Sequence, residues 1–370
     1  MKIGILTLHY GCNYGGILQC YALQTFLESL GHNVEVINYI PSMHVSLFKR
    51  ILGKLKTITS ISDLFHNIKD FSKVQSKVNK PSKINRKDFK KIFDIFRANR
   101  LKLSQLVNED TIHNIQNNYD AVIVGSDQVW TSLYGKRQIY FFDWLDNNYR
   151  GKRIAYAACS AHQVVRGKSR KILEELLSKM DAIGVRDNTT KLLVSSVNPA
   201  IKTTLVTDPT LLYNFDEFND NKKITFPYIL TYILGTEIDG GHKQALKRIK
   251  EVVGNIAVIS VIIPDMSSGI EKFSDEILSD VTPEQWVTLI RNAAAIYTDS
   301  FHGVIFSLKF HKVFFAYYAN AIRASRLIDL KQCFPTLPIY KNIPQQLNIT
   351  YEWNNIYNIE FSKEFIISQL

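Results

Sequence analysis

"KIGILTLHYGCNYGGILQCYALQTFLESLGHNVEVINY", Lys2–Tyr39, opens with a short apolar run and then a loop of small and polar residues. Ile17, Leu18, Tyr21, Ala22, Leu27 and Leu30 follow at helical spacing, and Gly31 stands where helices commonly end. "NVEVINY" then alternates β-branched residues. The stretch predicts strand, loop, helix, strand, which is the repeating unit of a parallel α/β sheet.

Downstream the same rhythm returns. "YDAVIVGSDQVW" is a buried strand with a small-polar loop behind it, and "RIAYAACSA" is a second such pair. "EELLSKMDAIGVRDNTTKLLVSS" reads as helix, strand, a turn carrying Arg186, and helix. A second set begins near "TTLVTDPTLL" and includes the strands "PYILTYILG", "IAVISVIIP", "AIYTDS" and "KVFFAYY". In "TPEQWVTLIRNAA" a Thr cap, a Pro at the first helical position and an acid in the first turn mark a helix start. Two α/β sets predict two doubly wound domains, 1–200 and 201–370, with the last helix packing back on the first. Within the first of them, residues 41 to about 115 break the pattern and read as a basic helical insertion.

At 370 residues the chain is long enough for two cores, and 46% apolar with 21% charged residues marks a globular protein. No apolar run approaches the roughly 20 residues of a membrane span. The opening "IGILTLHYG" reads as a core strand of a cytoplasmic protein and not as a signal peptide. Cys12, Cys20, Cys159 and Cys333 are scattered with no CxxC pair, so neither a disulfide framework nor a metal site is expected. The net charge of +11 is local: Lys49 to Lys102 holds 16 Lys or Arg against four Asp. No RNA- or DNA-binding module accompanies it.

In doubly wound sheets ligands bind beyond the carboxyl ends of the strands. Those ends carry Gly11–Gly16, Gly125–Asp127, Cys159–Ser160, Arg186 and Ser300–Gly303. Gly15-Gly16 and Gly303 each open a helix, where free N–H groups and the helix dipole favour an anion. The first loop is neither a GK[ST] P-loop nor GxGxxG, so a standard nucleotide fingerprint is lacking. His302 is either a proton donor at a helix start or a capping histidine. Asp127 is either a general base or hydroxyl-orienting group, or a turn former. Trp130 is a sugar platform or a core anchor. Arg186 is an anion clamp or a surface ion-pair partner. Arg323 and Arg326, spaced i, i+3, either complete an anion site or face solvent. Asp208-Pro209 reads as a structural turn.

Taken in order, the Lys2–Tyr39 stretch, "AVIVGSDQVW", "RIAYAACS", "AIGVRD", "VTDPTLL" and "YTDSFHGVIFSLKF" resemble the polysaccharide pyruvyl transferase family. The resemblance implies two Rossmann-like domains facing a cleft, as in GT-B glycosyltransferases. It implies transfer of the pyruvyl group of phosphoenolpyruvate, a co-substrate, onto a glycan or a lipid-linked precursor as a ketal, without cofactor or metal. It makes His302 the acid/base group and Arg186 a donor-binding arginine; Asp127 is set beside His302 as a catalytic candidate, and Ser300, Gly303, Arg323 and Arg326 beside Arg186 as donor-binding candidates. Many relatives have an arginine two positions before the histidine. Here that position is Ser300, and Arg323, Arg326 or Lys309 are the cations available to replace it. Asn13, Gly15, Gly16, Gln19, Ser126 and Trp130 are expected to face the acceptor. Residues 49–102 fall outside these shared pieces and either rest on an anionic membrane face or form a solvated helical face. The competing readings are a glycosyltransferase with another donor and a non-catalytic glycan-binding relative.

Overall fold

In the computed structural model of the chain, Lys2–Leu6 forms β1 and leads through residues 7–13 into α1, Tyr14–Ser29. The structure describes all residues except 43–84, 132–134, 166, 219–223, 265, 267, 320 and 348–357, together with the side chains at 135–137 and 321–323. Asn13 starts α1: its Oδ1 accepts from Gly16 N at 2.9 Å, satisfying one free N–H of the first turn. Past the helix end Gly31 takes φ +85, a backbone that a glycine adopts without a Cβ clash. β2, Asn33–Val36, runs parallel to β1 with Ile3 opposite Val34.

After α2, Arg86–Arg100, come β3 (Ala121–Val124), β4 (Lys152–Ala158), α3 (Lys168–Ser178), β5 (Ala182–Val185), α4 (Asn188–Val197) and β6 (Thr204–Leu205). They complete a parallel sheet of order β2-β1-β3-β4-β5-β6. The second half supplies β7 (Tyr228–Tyr232), α5 (His242–Val253), β8 (Ala257–Val261), β9 (Glu276–Leu278), α6 (Pro283–Asn292) and β10 (Ala295–Thr298). It continues with α7 (Phe301–Lys309), β11 (Val313–Tyr317), α8 (Ala321–Cys333), β12 (Ile339–Tyr340) and α9 (Ile359–Gln369). Its sheet is also parallel, in the order β12-β11-β10-β7-β8-β9. β3 and β10 are buried at every position, because helices cover both faces.

In each sheet the order in which strands are added reverses once, between β1 and β3 in the first and between β7 and β10 in the second. Such switch points open a crevice for ligands. The two halves are welded beside them. The Tyr14 ring of α1 stacks on Trp286 of α6 at 5.5 Å, and its hydroxyl donates to the Val281 carbonyl at 2.7 Å. One core cluster runs through both sheets. α9 returns to the first sheet, where Ser362 Oγ accepts from Thr207 N at 3.0 Å and Phe365 lies 6.3 Å from the Tyr156 ring.

Two boundaries differ from the sequence reading. The first sheet continues past residue 200 to Leu205, because β6 pairs with β5. The insertion rejoins the sheet well before residue 115: Val36 bridges Leu103 and Tyr39 bridges Val107, both in parallel. The open edge beside β2 is thus met by a short irregular segment, whose shortness hid it from pattern reading.

Of the basic segment, residues 49–84 lie outside the described residues. In the described part the cations are largely paired. Lys90 and Arg97 bind Asp94, Lys91 binds Asp88, Arg100 binds Glu284 and Lys102 binds Glu28. Arg97 also donates to the carbonyls of His9 and Gly11, both at 3.1 Å, so α2 staples the β1–α1 loop.

Lys309 sits at the far end of α7 from His302, against the Phe215 ring, with its ammonium 5.9 Å from the centroid. It therefore cannot serve the seam. Burial pushes its pKa down to about 8. The native state thus releases this proton at lower pH than the unfolded chain does, so its charging cost is full below pH 8 and fades as pH rises toward the free value. Lys309→Met should stabilise the protein at pH 7 by about 1–2 kcal/mol, with the gain shrinking between pH 8 and 10 in urea titrations.

Candidate active site

The loops after β1, β3, β5 and β10 converge where the halves meet. Gln19, from the second turn of α1, braces the first of them. Its Oε1 accepts from Ser126 N at 2.9 Å, and its Nε2 donates to Thr7 Oγ1 at 3.0 Å and to the Gly16 carbonyl at 2.8 Å. Ser126 is fully buried and its hydroxyl donates to the Ala157 carbonyl. Asp127 follows at φ +68, its carbonyl accepting from Val129 N and Cys159 N.

Arg186 leaves the end of β5 and is nearly buried, with 2% of its side chain exposed. Its Nη1 donates to Asp208 Oδ2 at 2.6 Å and to Ser126 Oγ at 3.2 Å, while Nη2 lies 3.5 Å from Asp127 Oδ1. The neighbouring Asp187 instead caps α4, accepting from Thr190 N at 2.7 Å. Arg326, on α8, brings a second guanidinium: Nη1 meets Asp127 Oδ1 at 3.1 Å. The Phe301 ring is common to both cations, with Arg186 Cζ 4.4 Å and Arg326 Cζ 5.4 Å from its centroid.

His302 lies in the first turn of α7 and is 4% exposed. Its Nε2 is 3.4 Å from Asp208 Oδ2, without hydrogen-bond geometry. Ser300 caps that helix, accepting from Gly303 N at 3.3 Å. Gly303 allows close packing: a Cβ there would lie 2.5 Å from Thr298 Oγ1.

Burial would push both carboxyls up, and the opposite charges outweigh it. Arg326 and Arg186 hold Asp127 below the usual carboxylate range, while His302 and Arg186 hold Asp208 far below it. Asp208 divides its oxygens: Oδ1 closes the turn by accepting from Thr210 N at 3.0 Å, and Oδ2 faces Arg186 and His302. The sequence reading took it for a turn residue alone. Its position three residues past the end of a strand, like that of Asp127, is the signal that was available.

Arg186, Arg326, Asp127, Ser126, His302 and Gly15 therefore meet at one seam. Two expected acceptor residues do not face it. Trp130 is wholly buried, stacked on Phe141 at 5.0 Å, with its indole N–H donating to the Tyr140 carbonyl; the core claims it. Gln19 is buried and its amide is consumed by the brace. Asn13 serves as the α1 cap and Gly16 lies beside Asp127. The Arg323 side chain is outside the described residues. Among the described residues no cluster of three or more His, Cys, Asp or Glu could hold a metal ion.

Gly15 packs directly on His302: a Cβ added at Gly15 would fall inside the imidazole. Gly15→Ala should displace His302 while leaving both sheets intact. Turnover is expected to fall about tenfold or more, with the overpacking costing about 1–3 kcal/mol of stability, and unchanged turnover would show that the imidazole can shift freely.

Two facing doubly wound sheets with cations and an imidazole at their seam define a two-lobed Rossmann-like α/β protein of the GT-B kind. Residues 13–320 match the model for polysaccharide pyruvyl transferase, and the chain belongs to that family of transferases. Comparison with curated proteins gave no match. Similar solved structures include Arabidopsis thaliana UGT89C1 complexed with UDP-L-rhamnose, at 10% identity and TM-score 0.49, covering 100% of this chain and 89% of that one. The UDP-N-acetylglucosamine 2-epimerase from Rickettsia bellii aligns at 11% identity and TM-score 0.48, covering 100% and 95%. The E. coli ADP-heptose lps heptosyltransferase II aligns at 12% identity and TM-score 0.38, covering 100% and 98%.

Proposed function

We propose that the protein transfers the pyruvyl group of phosphoenolpyruvate to two hydroxyls of a glycan or lipid-linked glycan precursor, forming a pyruvate ketal. The observation that carries this reading is a set of buried nitrogens, Arg186 Nε, Arg326 Nε and His302 Nε2, that have no hydrogen-bond partner among the described residues. Buried donors are normally satisfied, so their convergence around Phe301 favours a small polyanion. Phosphoenolpyruvate carries a phosphate and a carboxylate, which suits two guanidiniums and the N-terminus of α7.

The reaction has a simple proton balance. Carbon 3 of the enol takes one proton, which makes carbon 2 electrophilic, and one sugar oxygen bonds to carbon 2. The carbon–oxygen bond to phosphate breaks as the second sugar oxygen bonds there. Of the two hydroxyl protons lost, one is accounted for on carbon 3 and one on the departing phosphate. His302 is the group at the seam suited to moving them. Asp127, held ionised by two arginines, is a poor base, so it does not share that work.

A sugar-nucleotide donor is less well served. α5, which follows the first strand of the second sheet, has its initial N–H, that of His242, bonded by the Glu237 carboxylate. An acidic side chain thus stands where that sheet type places a diphosphate. The deciding experiment incubates the protein with phosphoenolpyruvate and a panel of galactosides, reading phosphate release and, by mass, a product gaining one pyruvyl group. Turnover with a nucleotide sugar and none with phosphoenolpyruvate would reject the proposal.

A further inference from the structure

Asp127 is left without chemical work by this mechanism, yet its placement is strongly constrained. Its backbone sits at φ +68, uncommon for a residue with a Cβ, and is pinned through its carbonyl by Val129 N at 2.7 Å and Cys159 N at 3.1 Å. The carboxylate spans the two lobes. Oδ1 touches Arg326 of the second and Arg186 of the first, at 3.1 and 3.5 Å, and Oδ2 faces the start of α1, where a Cβ on Gly16 would lie 3.6 Å away. It lies between two guanidiniums and a helix N-terminus, the environment an incoming anion would seek.

We propose that Asp127 is a tethered competitor for the donor: its carboxylate occupies the anion position shared by Arg186 and Arg326, and a phosphate or carboxylate ligand must displace it to bind. The proposal rests on reading the seam as the donor site. It follows by linkage that any anion using both guanidiniums loses the same free energy to this displacement.

Isothermal titration of the whole protein with inorganic phosphate and, separately, phosphoenolpyruvate tests this. Asp127→Asn should bind both about tenfold more tightly, by a common factor. Asp127→Gly, which suits the left-handed backbone, should show the same gain if the amide disturbs packing. In an Arg326→Gln background the gain should disappear, which a merely structural role for Asp127 would not produce. Equal or weaker phosphate binding by both Asp127 variants overturns the proposal. If wild type still binds phosphoenolpyruvate in that case, the donor reading survives alone; if no variant binds it, both fall.

Discussion

His302→Ala is expected to lower acceptor-dependent phosphate release from phosphoenolpyruvate by about 10²–10⁴-fold, the usual span for loss of a positioned acid–base group. His302 brings to the seam an imidazole, a side chain that can both donate and accept a proton. It is buried against Gly15 on one side and approaches Asp208 Oδ2 at 3.4 Å on another. The effect should fall on kcat, because the guanidiniums of Arg186 and Arg326 still bind the anion. Phosphoenolpyruvate affinity by titration should fall far less than turnover, since one of three unpartnered donors is lost. A variant that keeps its turnover would remove the imidazole from the chemistry, and one that loses binding alone would make it an anion ligand.

Asp208→Ala should be the most destabilising single change at the site. It leaves Arg186, nearly buried, without its 2.6 Å partner, and it removes the turn bond to Thr210 N. Breaking one side of a buried ion pair typically costs about 3–5 kcal/mol, because the remaining charge stays desolvated. Urea unfolding should show that loss as a lowered midpoint. Asp208→Asn keeps the turn acceptor but not the charge, and should fall between wild type and alanine. A loss under about 1 kcal/mol for the alanine variant would mean that Ser126 and Asp127 suffice to hold Arg186.

Much of the architecture could be read from local pattern. The fully buried four-residue strands at Ala121–Val124 and Ala295–Thr298 stand out as apolar runs between polar loops. The Thr282 capping box marks the start of α6, with Thr282 Oγ1 accepting from Gln285 N at 3.2 Å. Arg186, Asp127 and His302 were reachable because each lies within four residues of a strand's carboxyl end, where such sheets bind ligands. Trp130 was not decidable, since an indole in a loop is equally suited to a sugar or a core until its neighbours are known. Asp208 was missed because its turn role is real and local, while its second oxygen acts on residues 22 and 94 positions away in Arg186 and His302.

The sequence by itself determined the alternation of strands and helices, the two sheets, the family and the loops able to carry chemistry. These depend on periodicity and on backbone groups within a few residues of one another. The tertiary structure alone decided which loops meet. Arg326, on a helix with no strand-end signal, joins Arg186 around Phe301, while Lys309 of the same helix as His302 points to the opposite end. Charges that share a buried site are chosen by long-range packing: the weld of Tyr14 on Trp286 brings the lobes together, and no spacing along the chain encodes that contact.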